Sequence, residues 1–505
     1  MRALTIVEKR LQGCDFAGAS SQGCDFAGAS SQVRFPRGIF IDSPPQKESN
    51  GKRHENNRNQ AKIVSSKPIF SRNSRGSAAG IDRDASPINP IKTYSREKHQ
   101  PKHAFIMKSL KVAFLMPLLL FTGCDFVNSQ TTPESTPEST TLPPNTLYFS
   151  EPIETSKVHS AEDFDFRVET VVEGLKFPWA MEFMPDGRVL ITERDGTLRM
   201  VENGVLREEP LGGVPEVVAR GQGGLLDVHL HPQYEENGWI YLSYSKEGEG
   251  GWTTSFIRAQ LDGYALVNHE EIYTGNVNSR LGFHFGSRFA FDGEGYLYFS
   301  IGDRGEQDTA QDLTVSNGSL FRLHDDGRVP EDNPFVGKEG LDEIYAYGLR
   351  NIQGLATDPE TGIVWSNFHG PRGGDELNIH NKPGANYGWP VITYGINYNG
   401  TPITDITEKE GMEQPVWYWV PSIAPSGMTF VSSDRYPGWK GSILNGALSF
   451  QLLSRVEVDG EQFVAEERIV EGIGRIRDVR EAPDGYIYIA NESDGTIARL
   501  VPVSN

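Results

Sequence analysis

Residues 179–201 read WAMEFMPDGRVLITERDGTLRMV, and the fold follows from how this stretch is punctuated. An alternating apolar run ends in Pro185-Asp186-Gly187; a second run ends in Arg194-Asp195-Gly196, and a third begins at once. Period-two alternation between tight Asp-Gly turns is the signature of short antiparallel strands. The unit returns at 225–245, 287–304, 353–370, 426–448 and 476–501, for example as IRDVREAPDGYIYIANESDGTIARLV in the last case. Six such units, with no long stretch of sustained helical period, predict an all-β chain folded as a six-bladed β-propeller rather than a sandwich or an α/β domain. A lone strand, FRVETVVEGL at 166–175, stands before the first unit. It is expected to pair with the C-terminal strands and close the ring, which leaves no open edge.

Upstream of the repeats the composition changes three times. Residues 1–106 hold 18 Lys and Arg against 9 Asp and Glu, leaving 30 against 59 for the rest, so a basic head precedes a strongly acidic body. The head carries a tandem decapeptide, GCDFAGASSQ at 13–22 and 23–32, within a polar run too poor in apolar residues to bury a core. It is expected to be disordered, and with few aromatics it gives no reason to expect a nucleic-acid partner. At Met107 a signal-peptide layout begins: Lys108 and Lys111, the apolar run 112–121, then Thr122-Gly123-Cys124. The run is too short to be a good membrane span. LFTGC resembles a bacterial lipobox, which implies cleavage before Cys124, lipidation of that cysteine and export to the periplasmic or cell-surface side; Met107 is then the expected start. The Ser/Thr/Pro-rich run that follows, with its TPES repeat, is expected to tether the folded domain over residues 124–160, leaving 161–505 as the propeller. All three cysteines, Cys14, Cys24 and Cys124, lie upstream of the propeller, so any metal there must use oxygen or nitrogen ligands.

The stretch 345–398 is unusually dense in Arg, Asn, carboxylates, Gly and aromatics. Arg350 and Asn351 stand where a strand meets a turn; they suit an anionic, carbonyl-bearing ligand, or equally an ordinary solvated turn. Gly370-Pro371-Arg372-Gly373-Gly374-Asp375-Glu376 joins a sharply turning backbone to two carboxylates, the hard oxygen ligands that calcium takes together with main-chain carbonyls. Arg475 and Arg477 alternate on a strand, so both guanidinium groups are expected on one face.

Several motifs in order resemble one family: GQGGLLDVHLHP at 221–232, HFGSRFAFDGEGYLY at 284–298, TAQDL at 309–313, GLRNIQGLA, HGPRGGDELNI, NYGWPVITYGINY and RIRDVREAPDGYIY at 475–488. From about Gly174 to the C-terminus the chain is similar to the soluble glucose/sorbosone dehydrogenases, quinoproteins that use pyrroloquinoline quinone (PQQ) and Ca²⁺ to oxidise aldoses. The resemblance implies His284 as general base, Asp303 as the carboxylate that orients it, and Arg350 as an assisting cation. It implies cofactor contacts from Gln222, Arg350, Asn351, Tyr398, Ala447, Leu448, Arg475 and Arg477. Ser449 stands where the family carries a lysine, a departure that removes one cation from the cofactor's rim. A cofactor-side calcium would use the carbonyls of Gly370 and Pro371; a second, structural ion would use Glu376 and the carbonyl of Tyr387. Together these imply an exported quinoprotein that turns aldoses into lactones and passes electrons to an external quinone or cytochrome. The competing readings are a non-catalytic propeller that binds a sugar, polymer or protein, and a metal-dependent lactonase.

Overall fold

A computed structural model describes residues 148–149 and 151–503. Six sheets form, five from successive segments of chain and the sixth from N-terminal and C-terminal strands together. Their first strands are Pro178–Phe183, Leu225–Leu230, Phe289–Phe291, Ile352–Thr357, Pro425–Phe430 and Ile476–Glu481; the first five each begin a four-stranded antiparallel meander, the last begins three strands of a six-stranded sheet, and the six sheets are the blades of the propeller. The early strand, Asp165–Val172, pairs antiparallel with Thr496–Pro502, from Ile497 opposite Val172 to Pro502 opposite Phe166. The ring therefore closes with an N-terminal strand as the outer strand of the last blade, as its sequence suggested.

Period-two alternation explains why the blades stack. In Leu297–Ile301 of the third blade, Leu297, Phe299 and Ile301 join Phe256 and Ile272 of the second blade, while Tyr298 points the other way to Ile352 and Leu355 of the fourth. The same division recurs in the last blade, where Ile487 and Ile489 meet Tyr436 and Leu444, and Tyr488 and Ala490 meet Met181 and Phe183. Six hydrophobic clusters result, one in each seam between neighbours. Each blade is thus a sheet buried on both faces, with apolar burial worth about 25 cal/mol per Å² driving every seam.

Two differences from the sequence reading matter. The expected tether boundary at 160 moves back to 148: Tyr148 and Phe149 are buried in the seam between the last and first blades, and Glu154–Thr155 pairs with Thr170 and Glu169. Two adjacent aromatics outweigh the polar composition around them. The head, the signal-peptide segment with Cys124, and the tether up to 147 lie outside the described residues.

The second difference concerns the inner strands. Five of the six have a register shift near their start, between Pro178 and Ala180, Leu225 and Val228, Ile352 and Gly354, Pro425 and Met428, and Ile476 and Asp478. A bulge re-aims the extra side chain. Trp179, Gln353 and Arg477 are such residues, and they meet on the axis: Arg477 Nη1 donates to Gln353 Oε1 at 3.2 Å and its guanidinium lies 6.0 Å from the Trp179 ring. Below them Arg288, fully buried, donates to the Gln353 and Arg477 carbonyls, pairs with Asp227 at 3.0 Å and Asp478 at 2.9 Å, and stacks 4.1 Å from Trp179. One arginine thereby ties together inner strands of four other blades.

Candidate active site

In an antiparallel meander the first strand starts, and the second ends, at the same face. Those two sets of termini carry the candidate residues: Gln222, His284, Arg350 and Arg475 precede first strands, while Asp303, Gly370 and Ser449 follow second strands. At this face a cavity of about 420 Å³ is lined by Gln222, His284, Asp303, Arg350, Pro371 and Tyr398, joined by Phe283 and Trp389. Residues from six connections between strands, with Gln222 and Tyr398 176 positions apart, converge there.

His284 has φ 59°, a left-handed backbone that an imidazole adopts at a cost. The conformation is held by its N–H donating to Gln222 Oε1 at 2.8 Å and by a 2.5 Å hydrogen bond from Nδ1 to Asp303 Oδ1. Burial lowers the imidazole's affinity for a proton and the Arg350 guanidinium lowers it further, with Asp303 opposing both. The ring is therefore neutral in the apo-protein, with Nδ1–H on the aspartate and Nε2 as the basic nitrogen. Burial acts to raise the Asp303 carboxyl, but the hydrogen bond from His284, the charge of Arg350 and the hydrogen bond from the Gly305 N–H outweigh it and hold Asp303 below the usual range. Its main-chain N–H donates to the Arg350 carbonyl at 2.8 Å, which locks the two loops together.

Arg350 is buried; Nη1 donates to the carbonyls of His369 at 2.9 Å and Gly370 at 2.7 Å, and its guanidinium lies 5.3 Å from the Trp389 ring. Asn351 Oδ1 accepts from Gly286 N–H at 3.1 Å, whereas its Nδ2 is buried without a partner. A buried amide left unpaired costs stability, so that donor has capacity for a ligand. Tyr398 is 73% exposed on the loop over the cavity.

The remaining candidates are placed differently. Arg475 and Arg477 do converge, but not through strict alternation, since Arg477 is bulged; both pair with Glu492, at 3.4 Å and 2.5 Å. Burial disfavours the Glu492 carboxylate, yet the two arginines prevail and hold it ionised. The pair therefore presents about one net charge rather than two. Arg475 Nη1 also reaches the Leu448 carbonyl at 3.2 Å, beside Ser449, which is half-buried and tied by its N–H to the Ile423 carbonyl at 3.0 Å. Ala447 is wholly buried in the seam between the fourth and fifth blades, and Leu448 is buried beside it, so their contribution to a ligand is confined to the main chain.

Glu376 and Tyr387 lie outside the cavity. Both are buried, and Glu376 has a single hydrogen bond, from Asn378 Nδ2 at 3.2 Å. Burial, with Asp375 adding to it, pushes its carboxyl up to about 8. Asn378 Oδ1 is likewise buried and unpartnered. Among the described residues no cluster of three or more His, Cys, Asp or Glu could hold a metal; a cation here would draw on these spare carboxylate and amide oxygens and on carbonyls, the donor set calcium prefers.

The family description "Glucose / Sorbosone dehydrogenase" matches residues 175–499, more than half of the chain. The chain belongs to the glucose/sorbosone dehydrogenase family. Aldose sugar dehydrogenase YliI of Escherichia coli (strain K12) is 43% identical over 344 residues, which span 66% of this chain and 92% of that protein. Among solved structures, the soluble aldose sugar dehydrogenase of E. coli in its apo-form is similar at 41% identity and a TM-score of 0.64, covering 67% of this chain and 99% of that one. The PQQ-bound aldose sugar dehydrogenase of Streptomyces coelicolor is similar at 27% identity and a TM-score of 0.56, covering 70% of this chain and 100% of that one.

Three residues of this glucose/sorbosone dehydrogenase went unremarked in the sequence. Trp389 sits in the quoted NYGWP motif and Arg288 closes HFGSR, yet neither residue type announces a role there. Glu492 had a usable signal: it follows the second strand of its unit, as Asp303 and Arg194 follow theirs.

Proposed function

We propose that the protein is a PQQ-dependent quinoprotein that oxidises aldoses at the anomeric carbon to lactones, with Ca²⁺ beside the cofactor. The single observation that carries this reading is the His284–Asp303 pair, its carboxylate buried and its imidazole opening on a cavity with Arg350, in a chain of this family. The groups at this face fit the cofactor: the guanidinium of Arg350 in the cavity wall, with the spare Asn351 Nδ2 and the cationic Arg475–Arg477 pair outside its lining, suit a planar quinone with carboxylates. The carbonyls of Gly370 and Pro371 would hold the cofactor-side calcium, and Glu376 with the Tyr387 carbonyl the structural one. When bound, PQQ would supply the acceptor for the hydride, that is one hydrogen with its two electrons, and calcium would polarise it.

The chain's own part is acid–base chemistry and orientation. His284 Nε2 takes the proton of the anomeric hydroxyl as the C1 hydrogen departs with its electron pair, so the cyclic sugar loses two electrons and two hydrogens, and its C1–OH becomes the lactone carbonyl. Asp303 keeps the proton on Nδ1 before transfer and stabilises the imidazolium after it. Arg350, held by two carbonyls, disfavours a proton on His284 in the resting state and so keeps the base free. The final electron acceptor is proposed to be an external quinone or cytochrome.

The protein is proposed to act after export, anchored by lipid on Cys124. Reconstitution of apo-protein with PQQ, Ca²⁺ and a panel of aldoses tests the activity: dye reduction that needs PQQ is expected, and lactone hydrolysis without PQQ, or sugar binding without turnover, would refute it. Intact-mass measurement of protein from the native host tests the anchor; an unlipidated chain running from Met1 would overturn it.

A further inference from the structure

Trp389 makes the hydrogen bond that completes Asp303. The carboxylate is 2% exposed. Its Oδ1 accepts from His284 Nδ1 at 2.5 Å and from Gly305 N–H at 2.8 Å, and its Oδ2 accepts from the Trp389 indole Nε1–H at 2.9 Å. The indole comes from another blade, 86 residues further on, and is itself fixed: Trp389 N–H donates to the Gly348 carbonyl at 2.9 Å, and its carbonyl accepts from Gln311 Nε2 at 2.7 Å. One ring face lies 5.3 Å from the Arg350 guanidinium.

We propose that Trp389 is a positioning residue for proton transfer: its N–H fixes the plane of the Asp303 carboxylate and moderates the pull of that carboxylate on the His284 imidazole. The proposal rests on the reading of His284 as the base. A carboxylate with one oxygen free can turn about its Cβ–Cγ bond, and the imidazole hydrogen-bonded to it turns as well. With Oδ2 held by the indole, both oxygens are engaged and the aspartate has one orientation. His284 is then confined to the tautomer with Nε2 unprotonated at the cavity. The same bond draws charge from the carboxylate. Deleting it leaves a more basic Asp303, and hence a His284 that holds a proton more tightly. The charged groups facing His284 are Asp303, Arg350 and Arg304, and none of them is altered by the substitution that follows.

Trp389→Phe keeps an aromatic ring against Arg350 and removes the donor, together with part of the buried ring's bulk. In apo-protein, NMR titration of the His284 imidazole is expected to show its midpoint rising by about half a unit to one unit, a part of the one to two units that a hydrogen bond to a charge is worth. In PQQ-loaded protein the acidic limb of kcat/KM should rise by the same amount. The value of kcat near pH 7 should fall roughly tenfold, with KM and PQQ affinity unchanged. In an Asp303→Asn background the substitution should move neither quantity further, because the effect travels through the carboxylate. A His284 midpoint and limb that stay in place, whether or not kcat or Tm falls, would show a merely structural tryptophan and overturn the proposal. If Trp389→Phe does not fold, the wild-type chain made with fluorinated tryptophan, a stronger N–H donor, should show the midpoint lowered, and an unmoved midpoint there overturns the proposal instead. The apo titration is independent of turnover. A shifted midpoint in a protein that oxidises no aldose would therefore refute the proposed function alone.

Discussion

Glu376 makes the stability of the metal-free protein depend on pH in a calculable way. Its carboxyl is buried, has one hydrogen bond, and is pushed from the ordinary 4.5 up to about 8. A folded-state value above the unfolded one means that the unfolded chain sheds its proton first as pH rises. Stability is then full below about 4.5, declines between about 4.5 and 8, and levels off above. A gap of that size corresponds to at most about 4 to 5 kcal/mol. Glu376→Gln keeps the shape and the bond to Asn378 but has no proton to lose. In chelator, urea unfolding of the wild type at about pH 5 and about pH 8.5 should show a loss roughly 3 to 5 kcal/mol larger than that of the variant. Asp375, pushed by its own burial up to about 6, remains in both proteins and largely cancels in the comparison. Adding Ca²⁺ should abolish the wild-type loss, since a cation stabilises the ionised form, and should do little for the variant. Equal pH slopes for the two proteins in chelator would refute the account of Glu376 as an unpaired buried acid. A calcium effect of equal size in both would refute its role as a ligand.

Three other substitutions probe the site and its frame. His284→Ala should retain PQQ and Ca²⁺ binding and lose about two to four orders of magnitude in turnover; in wild type, because burial and Arg350 lower the proton affinity of His284, the kcat/KM profile should fall only below about pH 6.5, and an acidic limb at or above that value would contradict it. Ser449→Lys should leave the PQQ dissociation constant level or weaker, because Arg475 already places a guanidinium at the adjacent Leu448 carbonyl; a tenfold tightening in a titration of apo-protein at fixed Ca²⁺ would show instead that the missing lysine is a deficit. Arg288→Met should lower the urea midpoint by the equivalent of roughly 3 to 5 kcal/mol, since Asp227 and Asp478 stay buried with Arg480 as their remaining cation, and a loss under about 1 kcal/mol would deny Arg288 its role as the axial tie.

The fold was legible because a propeller blade is the case in which local pattern and tertiary environment agree. Each strand lies between two seams, so alternate residues must be apolar in both directions. Leu297–Ile301 satisfies both with an unbroken apolar run apart from Ser300, and the Asp-Gly turns mark where each strand stops. Closure by the strand at 165–172 was legible for a related reason: a lone strand before a set of repeats has nothing local to pair with. Composition misjudged the boundary at 148, because a tether is recognised by an average over many residues, whereas Tyr148 and Phe149 act as two side chains filling one seam.

The site was legible only where motif and chemistry coincided. The structure brings His284 and Asp303 together, but Gln222 and Trp389, which hold them, lie in other blades or connections, and no spacing rule links Asp303 to Trp389 across 86 positions. Arg475 and Arg477 show the limit of alternation as a guide. Their convergence was expected from an ideal strand, yet the strand is bulged between Ile476 and Asp478, and Arg477 turns instead toward Gln353, itself displaced by a bulge at 352–354. Bulges at the starts of five inner strands re-aim side chains, so the alternation that predicts the blades fails at those positions. What survives the failure is the position of each residue within its repeat. Arg194, Asp303 and Glu492 all follow the second strand of their units, and all three reach the same face. Superposing the repeats, rather than reading each strand alone, would have marked Glu492 as a partner for the arginine pair and shown that its net charge toward a ligand is closer to one than to two.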